Sequence, residues 1–200
     1  MKDRISARFE ENISRVRNLV EIYSAHLSGT GGGRRSHSKT DVLRAAVVLL
    51  HAATEDLLRS LAYWKLPLAG GDVLSKIPLI STGTAIKFTL GDLSNHRGKN
   101  VDAVIAESVN GYLERSNYNN TDEVASLLTS IGIPLAEVNS NFSQLSEVMS
   151  RRHLIVHRAD RSEAGGSGNH SVKSIGPKTV SEWISGIEGF GTAVLNQIAE

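Results

Sequence analysis

A chain of 200 residues with 40% hydrophobic content is long enough for one domain with a substantial core and too short for a roomy second one. A formal charge of +1 and a pI near 8.1 exclude a polycation that coats nucleic acid indiscriminately, so any nucleic-acid site would have to come from local charge. With no cysteine there is no disulfide scaffold, no cysteine-ligated zinc and no thiol nucleophile.

The chain opens Met1-Lys2-Asp3-Arg4-Ile5, which lacks the apolar stretch of a signal peptide. No later run reaches the roughly 18 apolar residues of a membrane span, and the plain expectation is a soluble cytoplasmic protein with no membrane partner. From Asp3 to Leu27 the positions Ile5, Phe9, Ile13, Val16, Val20, Tyr23 and Leu27 step by four or three, which predicts a long amphipathic helix. The glycine-rich stretch that follows ends it, so residues 28–37 are expected to form a flexible loop. Its Gly33-Arg34-Arg35-Ser36-His37-Ser38-Lys39-Thr40 lacks the glycine before lysine that a phosphate-binding loop needs. A second helix is expected from Ser38 or Thr40, with Leu43, Ala46, Val47, Leu50, Ala53, Leu57 and Leu61 on its main apolar face. Val42, Val48, Leu49 and Leu58 extend that surface and place it centrally.

Residues 67–99 contain Pro67, Pro78 and five glycines and read as an irregular excursion with at most short helices. Within it, Asn95-His96-Arg97-Gly98-Lys99 is a basic loop with no partner pattern. Helices are then expected around Val101–Leu113, from Thr121 to Ile131, and from about Pro134 through Phe142, Leu145, Val148 and Met149. Residues 162–177 form a second expected flexible loop, and Val180, Trp183, Ile184, Ile187, Val194 and Ile198 mark a closing helix. Strand alternation is nearly absent, so the expected fold is an all-α bundle of long antiparallel helices in a single domain, residues 1–200.

Chemistry concentrates between Arg151 and Arg161, where four arginines, two histidines and one carboxylate give +3 in a chain that totals +1. The run Leu154-Ile155-Val156 is expected to anchor this segment in the core. Arg152-His153-Leu154-Ile155-Val156-His157 resembles the signature of the HEPN superfamily: an arginine, a polar residue, a short spacer and a histidine. The longer string Arg151-Arg152-His153-Leu154-Ile155-Val156-His157-Arg158-Ala159-Asp160 is similar to the RiboL-PSP branch of that family. So is the Leu43–Arg59 block of the second helix.

The resemblance implies a HEPN-like helical bundle and a metal-independent endoribonuclease acting as a two-fold homodimer, with Arg152, His157 and His153 as catalytic residues. It also suggests a toxin or antiviral effector, and a toxin implies an antitoxin or other inhibitory protein partner. The residue types suit RNA cleavage by its own 2′-OH, which needs a base, an acid and positive charge on phosphate, and no cofactor. Histidine supplies the proton transfers and arginine, which cannot deprotonate, clamps phosphate. Arg151, Arg158 and Arg161 are the expected RNA-backbone contacts, with Arg151 a second candidate for the motif arginine. His51, Glu55 and Arg59, spaced by four, are expected either to pair within their helix or to face the cleft and support the motif.

Five residues of regular helix turn a side chain by about 500°, leaving Arg152 and His157 roughly 140° apart. Either the helix breaks inside the motif or the two reach the cleft from different flanks. His153 and His157 share a face with Asp160 three residues on, which leaves a metal site as a minor alternative. The rival functional reading is a non-catalytic HEPN-like module that binds RNA or a protein through the same surface. Ten aromatics without a cluster argue against a base-stacking platform.

Overall fold

The computed structural model describes residues 1–29, 37–161 and 171–198. Among these residues are eight α-helices and no strand, so the protein is all-α. In chain order they are α1 (Lys2–Ile22), α2 (His37–Lys65), α3 (Gly71–Leu74), α4 (Leu90–Ser94), α5 (Val101–Leu113), α6 (Thr121–Ser130), α7 (Phe142–Arg158) and α8 (Pro177–Asn196). None of them is long and apolar enough to cross a membrane. The described residues group into two compact units: Lys2–Asp56 with the described residues from Ala136 on, and Leu57–Leu135.

In the first unit, the apolar ladder Ile5, Phe9, Ile13, Val16 and Val20 buries one face of α1. The helix widens into a π-turn at Tyr23–Leu27, where an unbroken α-helix was expected. The Ser24 and Ser28 hydroxyls there donate to carbonyls four residues back, a competition that bends helices. Helix α8 lies along α1. Gly191 makes that approach possible, since a Cβ at this position falls on the Phe9 ring. Arg17 and Glu188 pair at 2.6 Å between the same two helices. On the other side of α8, α7 packs with Phe142 against Phe190 and Glu147 accepting from the Trp183 indole at 2.9 Å.

Helix α7 begins at Phe142, eight residues after the expected start at Pro134. The intervening Asn139-Ser140-Asn141 forms a 3₁₀ turn, in line with the preference of Asn and Ser side chains for local bonds over helix interiors. Helix α2 starts at His37 and buries Leu43, Ala46, Val47, Leu50 and Ala53 in this unit. Of the expected flexible loops, 30–36 and 162–170 lie outside the described residues. The described end of the second loop is tied down, with Val172 bridged to Arg161 and the Lys173 amide donating to the Asp160 carbonyl at 2.8 Å.

The second unit carries α2 onward from Leu57, with Leu57, Leu58, Leu61 and Ala62 buried, and then α3 to α6. Its excursion holds two short helices. Helices α5 and α6 are each started by an asparagine, Asn100 and Asn120, whose side chain accepts from the third helical amide. The Arg59 guanidinium donates to the carbonyls of Leu113 and Ser116 at the end of α5 and stacks near Tyr118.

Candidate functional site

The motif occupies the last two turns of α7, and the helix is continuous through Arg158. There is no break within the motif, which removes one of the two ways Arg152 and His157 could meet. The pair therefore lies on different flanks of a regular helix. His153 and His157 share the solvent face, with ring centroids 4.6 Å apart. Arg152 is half-buried and continues the stripe of Leu145, Val148 and Met149, which are buried.

One turn further the same stripe emerges. Leu154 and Ile155 are half-buried and Val156 is 50% exposed, so the expected anchoring of this run in the core is corrected. The anchor is Asp160, a residue whose structural role the sequence pattern did not disclose. After Arg158 the backbone turns left-handed at Ala159 (φ 49°) and Asp160 (φ 60°), and both amides donate to the Leu154 carbonyl. Ala159 in that region is strained by about 1–2 kcal/mol. The turn drives the Asp160 side chain to complete burial.

There Oδ2 of Asp160 accepts from Arg44 Nε at 2.7 Å and from Arg151 Nη2 at 2.8 Å. Arg44 also donates to Thr40 Oγ1 and to the Lys173 carbonyl, and Arg151 to the Ser174 carbonyl. One carboxylate thus ties α2, the end of α7 and the 171–174 segment together. Arg151, expected on the RNA surface, is committed to this buried pair, with only 15% of its side chain exposed. The physical reason is that a buried carboxylate demands a charged partner. Removing Arg151 and Asp160 together from the surface leaves the segment's charge at +3 on Arg152, Arg158 and Arg161. Arg158 and Arg161 are exposed.

Asp160 does not join His153 and His157, and no group of three potential metal ligands occurs among the described residues. His51 is buried, with Nδ1 3.8 Å from Glu55 Oε2. The Arg59 bonds at the end of α5 give the far end of the His51, Glu55 and Arg59 stripe structural partners as well. Thr40 and Arg44 carry the polar face of α2 to the Asp160 cluster, and His51 and Thr54 further along the helix are buried.

An all-α protein with an arginine–histidine motif at the exposed end of a helix belongs to a recognisable class. The RiboL-PSP-HEPN family matches residues 10–200, and the chain belongs to that family, a branch of the HEPN superfamily. Its kind is the ribonuclease-type or RNA-binding module. No curated protein and no solved structure matches the chain.

Proposed function

We propose that the protein is a metal-independent endoribonuclease whose site is completed by a second copy of the chain. The observation that carries this reading is the exposed end of α7. His153 and His157 face solvent together, Arg152 lies on another flank, and Val156 leaves apolar surface uncovered beside them. A two-fold axis at this end buries Val156 and brings each Arg152 toward the partner's motif, an isologous arrangement that a single helix cannot provide.

In the shared cleft one His157 takes the proton of the ribose 2′-OH. The 2′-oxygen attacks phosphorus, the bond to the 5′-oxygen breaks, and the partner's His157 protonates the leaving oxygen, giving a 2′,3′-cyclic phosphate and a 5′-OH end. Arg152 stabilises the charge that develops on the non-bridging oxygens, and His153 orients or assists its neighbour. Arg158 and Arg161 attract the RNA backbone, while Arg151 is a positioning residue that acts through Asp160. A role as a cytoplasmic toxin or antiviral effector, held in check by an inhibitory protein, belongs to the same proposal.

The test is cleavage of total RNA in EDTA by wild type, His157→Ala and Arg152→Ala, with mass determined by light scattering. Cleavage abolished by both substitutions in dimers that remain folded supports the enzyme. Equal cleavage by the variants, or none by the wild type, returns the protein to a non-catalytic module that binds RNA or a protein.

A further inference from the structure

Within the Leu57–Leu135 unit, the excursion and α5 line an open cavity of about 460 Å³, inside the range of small-molecule sites. Its construction is local. Thr89 and Asp92 close a reciprocal capping box that starts α4, Gly98 turns the chain back at φ 82°, and Asn100 starts α5. The walls are aliphatic and aromatic, among them Ile77, Leu79, Phe88, Leu93, Val104 and Ile105. Phe88, Leu93 and Val101, which also line it, are 51%, 42% and 73% exposed, so large apolar side chains gather at its mouth. Scattered single apolar residues are ordinary on a surface, and a cluster around a cavity is not.

The polar groups of the lining are few, and the ionisable ones are all basic. His96 is 9% exposed, and both of its ring nitrogens are buried without a hydrogen-bond partner. Leaving such groups unpaired costs free energy, and native structures rarely do it without cause. Arg97, next in the lining, is exposed and makes no side-chain hydrogen bond or ion pair among the described residues. Lys99 is neutralised by Glu107 at 2.6 Å, and the Ser108 hydroxyl is used by the Ile80 amide and the Val104 carbonyl. Among the described residues no carboxylate lines the cavity. An apolar chamber with an unsatisfied imidazole and an unpaired guanidinium matches a molecule with an apolar body and a single negative charge. A docking protein needs about 1,000 Å² of complementary surface and does not call for a single cavity of this size.

We propose that this cavity binds a small amphipathic carboxylate, its apolar body among Leu79, Phe88, Leu93 and Ile105 and its carboxylate bonded by Arg97 and, once the buried ring turns toward the cavity, by His96. The site is independent of the α7 motif. Isothermal titration of the full chain with sodium octanoate, and separately with octan-1-ol, tests it. Octanoate is expected to bind once per chain and octanol at least tenfold more weakly. Arg97→Glu, a change at an exposed side chain, is expected to weaken octanoate tenfold or more, and Val101→Trp to obstruct the mouth. His96→Phe is expected to act like Arg97→Glu, with the perturbed amide resonances of wild type falling in residues 93–105. Absence of saturable octanoate binding, equal affinity for octanol, or unchanged affinity in Arg97→Glu overturns the proposal.

Discussion

Replacing Asp160 by alanine removes the one carboxylate that neutralises two arginines whose side chains are 8% and 15% exposed. Breaking a buried ion pair from one side costs about 3–5 kcal/mol, because the remaining charge stays desolvated and unpaired. Against a typical total stability of about 5–15 kcal/mol this is a large share. At about 2–4 °C per kcal/mol for a chain of this size, the melting temperature falls by about 6–20 °C. The loss belongs to the unit holding α1, α7 and α8, so circular dichroism melts are paired with amide exchange at residues 154–161 and 171–174. Adding Arg44→Met to Asp160→Ala removes one of the stranded cations and recovers part of the loss, a coupling of about 0.5–3 kcal/mol. An Asp160→Ala protein within about 1 kcal/mol of wild type, or a double variant that shows no coupling, refutes the reasoning.

Val156→Asp, at a side chain 50% exposed, is expected to leave the fold intact and to convert the proposed dimer to monomer in light scattering; an unchanged dimer contradicts the proposed interface. Arg158→Ala and Arg161→Ala each lower the slope of log affinity for single-stranded RNA against log salt by about 0.7, and a slope equal to wild type removes that arginine from the interface. The amide of Thr89 first, and then its hydroxyl, hold the Asp92 carboxyl below its ordinary 3.8. Because the folded value is the lower one, the stabilisation of α4 is fully present above 3.8 and is lost as pH falls through the folded value. The Asp92 carboxyl carbon observed by NMR titrates below 3.8, and a midpoint at or above that value shows the capping box absent in solution.

Helix periodicity made the all-α fold and its long helices legible, because each long helix buries a stripe repeated every three or four residues. The motif was legible as a string, and its placement at the end of α7 agrees with the basic residues there. What the string concealed was direction. Leu154-Ile155-Val156 looks like an anchor by composition, yet the helix outlasts the surface that buries Leu145 and Val148. The true anchor, Asp160, depends on a left-handed turn and on Arg44, 116 residues away. One clue was present: Arg44 stands among the apolar positions of α2, where a buried cation requires a carboxylate. His96 gave no such clue, since its burial follows from the tertiary path of an excursion without a period.

The central claim is cleavage by the RNA's own 2′-OH, and product chemistry tests it most directly. A defined RNA is incubated with the wild-type protein in EDTA beside the same RNA carrying 2′-O-methyl groups, and the new ends are identified by mass spectrometry. The account predicts 2′,3′-cyclic phosphate and 5′-OH ends from the first RNA and no cleavage of the second. Cleavage of the 2′-O-methyl RNA, or 5′-phosphate ends, contradicts it.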